Sequence, residues 1–296
     1  KVAVKANHNL SSHTAAQFIR EARLLASLKH PNLPRVIDYF TDDDSQYLVM
    51  DYVPGDDLKQ IIEGNREVSL PQVMKWATQL GNALTYLHTQ NPPIFHRDIK
   101  PANIKLTPSG DVVLVDFGIA KTGDASTETQ TGAWAFSPGF APPEQVSGMR
   151  TGPYSDQYSL AATLYYLLTG KPPADSARRL MGEEEYVPLI KTLPNVPAHF
   201  SEAMDRALMI KPEARFANVA DFIEALINPV HAVSGDTSQK TVVASSRMQS
   251  PPVMPTPPAE AALPPAKKKT GRGLIIGIVA LVGLLVGGYF VLSSSG

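Results

Sequence analysis

The chain has 296 residues, with 27 basic and 28 acidic side chains, seven histidines, no cysteine and a formal net charge of −1. That length allows one large domain or two small ones, and the lack of cysteine excludes disulfides, thiolate metal sites and thiol nucleophiles. Charge is unevenly placed: from Pro229 onward there are six basic and two acidic residues, which leaves 21 basic and 26 acidic residues, or −5, before it, and a −5 domain lacks the basic footprint of a nucleic-acid binder.

Val2-Ala3-Val4-Lys5 reads as an apolar strand ending in a lysine. Ser12 to Lys29 then shows helical periodicity, with Ala15, Phe18, Ala22, Leu25 and Leu28 on one stripe and Thr14 with Gln17 as a capping box. Glu21 lies three residues after Phe18 and four before Leu25, on the buried face. A carboxylate there needs a partner, and Lys5 is the candidate; the alternative is an acid at the stripe's edge among the charges around Arg20 and Lys29. Lys29-His30-Pro31-Asn32 ends this helix. Arg35 to Phe40 and Gln46 to Tyr52 follow as paired strands, and Asp42-Asp43-Asp44 between them is a solvated hairpin tip rather than a metal site. Met50-Asp51-Tyr52-Val53-Pro54-Gly55 leads into a short helix from Asp57 to Glu63. A long amphipathic helix, Leu70 to His88, follows with Val73, Ala77, Leu80, Leu84 and Leu87 inward.

His96-Arg97-Asp98-Ile99-Lys100-Pro101-Ala102-Asn103 comes next, then Ile104-Lys105-Leu106, a turn from Pro108 to Asp111, the apolar run Val112 to Val115, and Asp116-Phe117-Gly118. The two polar clusters therefore stand at the ends of one tight β-hairpin. Asp98, Lys100, Asn103 and Asp116 can face a common point, which suits a hydroxyl to be deprotonated, a phosphate to be neutralised and a metal to be held. Ile119 to Ala141 is a long aperiodic loop of the kind that is functional or mobile. Asp156 opens a run from Gln157 to Leu168 that is apolar nearly all round, as a central buried helix is. Amphipathic helices near Ser201 to Met209 and Val219 to Ile227 close the globular part.

His96 to Asn103 with Asp116-Phe117-Gly118 resembles the catalytic loop and metal motif of protein kinases, with Ile99 for the usual leucine, and is most similar to bacterial Ser/Thr kinases of eukaryotic (Hanks) type. The resemblance covers residues 1 to about 228 and implies an α+β, two-lobed protein kinase fold: a small, mostly β lobe in residues 1–50, a hinge at 51–55 and a larger, mostly α lobe at 56–228. It implies that Asp98 takes or orients the hydroxyl proton, Lys100 neutralises the transferred phosphoryl group, and Asn103 and Asp116 hold Mg²⁺ (or Mn²⁺). Lys5, held by Glu21, would meet the ATP phosphates, and the backbone around Met50, Asp51 and Val53 would receive adenine. Arg97 would receive a phosphate on the loop, where Thr122, Thr127, Thr129 and Thr131 are candidate phosphosites, although each singly reads as an ordinary loop residue. Ser137 would face the protein substrate, Glu144 would pair with Arg215, and Asp156 would anchor the catalytic loop. Ala141-Pro142-Pro143-Glu144 departs from the family's A-P-E by one proline. The family also has two strands and a Gly-rich phosphate loop before the lysine strand; nothing here precedes Lys1, so the small lobe is expected to be incomplete and the chain a fragment.

Residues 229–273 lack periodicity and hold seven prolines between Pro251 and Pro265, a composition that stays extended as a disordered linker. Lys267-Lys268-Lys269-Thr270-Gly271-Arg272 precedes Leu274 to Leu292, an uncharged stretch spanning about 28 Å as a helix, close to the hydrocarbon thickness of a bilayer. A single-pass transmembrane helix is expected, with the basic side and the kinase domain cytoplasmic and residues 293–296 as a short outer tail. Gly283 and Gly287 offer a small-residue face for a homodimer. The expected activity is ATP-dependent Ser/Thr phosphorylation of proteins, including itself, in membrane-linked signalling. The competing classes are a pseudokinase or tethered scaffold, and a small-molecule kinase of related fold.

Overall fold

The computed structural model describes residues 1–7, 12–42, 45–116 and 137–229, the side chains of 7, 12–17 and 21 excepted. Its amino-terminal part is built from β1 (Val2–Asn7), α1 (Ser12–Ala26), β2 (Val36–Asp42) and β3 (Ser45–Asp51). The strands form an antiparallel sheet in the order β1-β3-β2, with Lys5 opposite Leu48 and Val36 opposite Met50. Side chains alternate across a strand, and in β3 this buries Gln46, Leu48 and Met50. Helix α1 packs on β2 and β3 and buries Phe18, Ala22 and Leu25; with Leu28, buried just beyond its end, these are four of the five residues of the stripe read from the sequence.

Two details of α1 differ from the sequence reading. The helix already runs at Ser12, so Thr14 lies within its first turn and is no N-cap. It ends at Ala26 instead of Lys29, because the Ser27 hydroxyl and the Leu28 N–H close back on the carbonyls of Leu24 and Leu25, 2.6 and 3.1 Å away. The chain is then redirected by Pro31.

The larger part comprises α2 (Leu58–Glu63), α3 (Leu70–His88), the hairpin β4 (Ile104–Leu106) and β5 (Val112–Leu114), then α4 (Pro143–Val146), α5 (Pro153–Thr169), α6 (Ser176–Leu180), α7 (Leu189–Thr192), α8 (Ala198–Ala207) and α9 (Val219–Ile227). Asp57 caps α2 in a reciprocal box with Gln60. In α3 the residues Val73, Trp76, Leu80, Leu84 and Leu87 are wholly buried, and at about 1.5–3 kcal/mol per large side chain removed from water this stripe drives the docking of the helix. Helix α5 is buried from Ser155 to Leu167 and packs against α3, α8 and α9, as its near-absence of charge requires.

The hairpin is clamped from both sides. From α3, the Gln79 amide donates to Asp111 (2.7 Å) and accepts from the Val112 N–H (3.0 Å). From the segment after α1, Asn32 donates to the Val112 carbonyl (2.7 Å) and accepts from the Leu114 N–H (2.9 Å). Among the described residues no helix is long and apolar enough to cross a membrane; residues 274–292 lie outside them.

Candidate active site

Between α3 and β4 the chain has only one turn of regular structure, Pro101–Asn103, so the loop's backbone donors need partners from elsewhere. Asp156, fully buried at the start of α5, supplies them: its two carboxylate oxygens accept from the N–H groups of His96 and Arg97, each at 2.8 Å. His88 Nε2, at the end of α3, lies 2.9 Å from the same carboxylate. Burial alone would raise the Asp156 carboxyl, but the His88 hydrogen bond, the neighbouring His88 and His96 imidazoles and the Arg97 amide hold it below its ordinary value. His96 is itself fully buried, with Nε2 3.2 Å from the Val115 carbonyl, and burial pushes its imidazole below the ordinary 6.5.

On this footing stand the chemical groups. Lys100 Nζ lies 3.0 Å from one Asp98 carboxylate oxygen and donates to Ser137 Oγ at 2.9 Å. Asn103 Nδ2 donates to the Asp98 carbonyl (2.8 Å) and carboxylate (3.0 Å), which turns its amide oxygen the other way. Across from them Lys5 Nζ lies 3.2 Å from Asp116 Oδ1, with 37% and 53% of the two side chains exposed. The structure therefore gathers Asp98, Lys100, Asn103 and Ser137 in one cluster and sets Lys5 with Asp116 in a second, whereas the sequence groups Asp116 with Asp98, Lys100 and Asn103. Arg97 and Asp116 both have φ of +62°, a conformation costing such residues about 1–3 kcal/mol each and found where function holds the backbone. The two strained residues flank the reacting groups.

The Asp116 carboxylate and the Asn103 amide oxygen are hard oxygen donors, which fit Mg²⁺ or Mn²⁺. Among the described residues no group of three His, Cys, Asp or Glu side chains forms a cage, so a metal here would draw its remaining ligands from water and substrate phosphates, as Mg²⁺ commonly does.

Met50 and Asp51 close β3, residues 52–54 continue without regular structure and Gly55 makes a bend; Met50 is buried, and the Asp51 N–H donates to the Arg35 carbonyl at 2.9 Å. Glu144 and Arg215 form a two-pronged pair at 2.9 and 3.0 Å, with side chains 2% and 0% exposed. Ser155 adds a 2.7 Å bond to the same glutamate. The Glu21 side chain, Phe117, Gly118 and the threonines at 122, 127, 129 and 131 lie outside the described residues.

Several supports were not legible in the sequence. Gln145 donates to the Arg97 carbonyl (2.9 Å), tying α4 to the catalytic loop. Asp175 caps α6 and accepts from the Gly139 N–H (2.9 Å), while the buried Ser176 donates to the Ala141 carbonyl (2.7 Å), fixing residues 137–141. A depression of about 500 Å³ lined by Ile62, Arg66, Val68 and Leu167 holds none of these residues.

Residues 1–230 match the family model described as protein kinase domain. A probable serine/threonine-protein kinase of Clostridium acetobutylicum is 32% identical over 232 residues, 77% of this chain and 35% of that protein. The serine/threonine-protein kinase PknA of Mycobacterium tuberculosis is 34% identical over 217 residues, 71% of this chain and 50% of that one. The chain thus spans between about a third and a half of the length of these relatives. Among solved structures, the PknI kinase domain of Mycobacterium tuberculosis matches with a TM-score of 0.61 and 30% identity over 76% of this chain and 83% of that one. The apo form of PpkA-294 matches at 0.61 with 32% identity over 73% and 75%.

Proposed function

Because the chain belongs to the protein kinase domain family, we propose that it is a Ser/Thr protein kinase that transfers the γ-phosphate of ATP to a protein hydroxyl. The observation that carries this reading is the cluster of Asp98, Lys100, Asn103 and Ser137 on a loop whose backbone is fixed by Asp156. A hydroxyl entering beside Ser137 meets the Asp98 carboxylate, which orients it and takes its proton as the oxygen bonds to the γ-phosphorus and the β,γ-bridging bond breaks. Lys100, already between Asp98 and Ser137, places its positive charge where the transferred group becomes most negative.

Lys5 and Asp116 face the nucleotide side. Their exposed pair is worth under about 1 kcal/mol, so the lysine can exchange Asp116 for phosphate oxygens at little cost. A divalent cation bound by Asn103 and Asp116 would supply charge neutralisation for the phosphates. Adenine would lie along the connecting segment at Asp51 and Val53, with Met50 behind it. The names of the relatives support Ser/Thr over Tyr as the acceptor.

Membrane attachment is part of the same proposal: the basic cluster at 267–272 and the uncharged stretch 274–292 support a single span with the kinase domain on the cytoplasmic side, and Gly283 with Gly287 supports pairing of two such spans. Loop threonines 127, 129 and 131 are proposed as autophosphorylation sites whose phosphate Arg97 would receive. Incubation with γ-labelled ATP and Mg²⁺, followed by acid hydrolysis, tests the reaction. Label in phosphoserine and phosphothreonine is expected; ATP turnover that labels only a small metabolite contradicts the proposal.

A further inference from the structure

We propose that Gly55 is a positioning residue for the nucleotide: its bare backbone seats the connecting segment directly on the strand that follows Asn103, and this contact sets the width of the cleft. Gly55 has φ of +108°, and a Cβ built there would overlap the Leu106 carbonyl oxygen and lie 3.1 Å from the Leu106 carbonyl carbon. Those are backbone atoms, which cannot rotate away as a flexible side chain can. Beside this contact the Leu106 N–H donates to the Asp56 carbonyl at 2.9 Å. Asp57 and Lys105 form an isolated antiparallel bridge, and Lys105 Nζ lies 3.7 Å from the Asp57 carboxylate.

The contact matters because it closes a ring. Lys5 on β1 is paired with Leu48 on β3; β3 runs into residues 52–55; these rest on Leu106 of β4; β4 pairs with β5; β5 leads to Asp116, which returns to Lys5 at 3.2 Å. Lys5 and Asp116, assigned to the phosphates and the metal, sit on this ring, and Asn103 directly precedes its β4. A side chain at residue 55 must push the connecting segment off β4, and the displacement appears across the cleft, between Lys5 on one side and Asn103 and Asp116 on the other. An ångström of misplacement at such a site costs up to about 100-fold in rate or affinity.

The inference rests on the kinase reading, and one experiment separates the two. The full chain, Gly55→Ala and Gly110→Ala are compared for binding of a non-hydrolysable ATP analogue with Mg²⁺, and for autophosphorylation as a function of ATP concentration. Gly110 is the control, since it has φ of +80° but nothing within 4 Å of a built Cβ, so alanine there adds the backbone strain without the collision. Gly55→Ala is expected to weaken analogue binding and raise KM for ATP about tenfold, with a much smaller change in the limiting rate, while Gly110→Ala keeps the parental values. A folded Gly55→Ala protein with parental affinity, or an equal shift in Gly110→Ala, would overturn the assignment. If Gly55→Ala does not unfold cooperatively, Lys105→Met decides: loosening the same contact should raise KM for ATP about twofold, and an unchanged KM overturns it. A parent chain that binds no analogue overturns the kinase reading itself.

Discussion

The two walls of the cleft are built from different physics. On the catalytic-loop side, Asp156 and the Glu144–Arg215 pair are buried and fully hydrogen-bonded; Asp156 fixes the loop from beneath, and the pair anchors α4, whose Gln145 donates to the Arg97 carbonyl. On the facing side, Lys5 meets Asp116 at 3.2 Å with 37% and 53% of the two side chains exposed. Reacting groups are thus held rigidly where the proton and phosphoryl group move, and loosely where a nucleotide must enter and leave. A rigid wall should respond to mutation through stability, and a soft wall through activity alone.

The largest stability effect is expected from Arg215→Ala, which strands the buried Glu144 carboxylate: a loss of about 3–5 kcal/mol, seen as a shifted denaturant midpoint. A double replacement of both residues by apolar side chains of similar volume should recover much of that loss; equal destabilisation in the double variant would contradict the cause. Asp156→Ala is next, since two buried N–H groups lose their acceptor. At about 1–3 kcal/mol per unsatisfied group, the loss should be about 3 kcal/mol, accompanied by a collapse of phosphotransfer because the loop is no longer fixed.

Acidification probes the same wall. A histidine whose folded value is lowered is neutral in the native state, so the unfolded chain binds more protons and stability falls as pH drops below the ordinary 6.5 of His96. Asp156, held low, contributes stability that is present above the ordinary 3.8 and lost as pH falls through its folded value. Thermal midpoints measured downward from pH 8 should therefore begin to decline near pH 6.5 and steepen below about 4; a flat profile to pH 5 would show that His96 is not buried neutral. The smallest stability effect belongs to the soft wall. Lys5→Met should cost less than about 1 kcal/mol yet reduce phosphotransfer by about 100-fold or more, and a comparable fall in midpoint and activity would erase the contrast between the walls.

How much of this the sequence disclosed depends on the range of the interaction. Helix α3 over Leu70–His88 and α9 over Val219–Ile227 match their periodicity to the residue, because a stripe of apolar residues is local information. The short helices α4, α6 and α7, of four or five residues, carry too little period to be read and exist through their tertiary packing. The reacting residues were legible because they stand close together in the chain. Asn32, Gln79, Gln145 and Asp175 were not, since each is a single polar residue in an unremarkable context whose partner lies 32 to 80 positions away. Asp156 and Arg215 were named only through the resemblance to kinases, and the structure supplies their physical reason: buried backbone amides and a buried carboxylate.

The central claim is that Asp98 serves phosphoryl transfer to a protein hydroxyl, and the most direct test is γ-labelled ATP with Mg²⁺ on the full chain beside Asp98→Asn. The asparagine keeps the size and shape of the side chain but turns one accepting oxygen into a donor, while the loop backbone stays held by Asp156, so folding should be retained while transfer falls by about 100- to 10,000-fold. Equal phosphorylation by the two proteins would contradict the account.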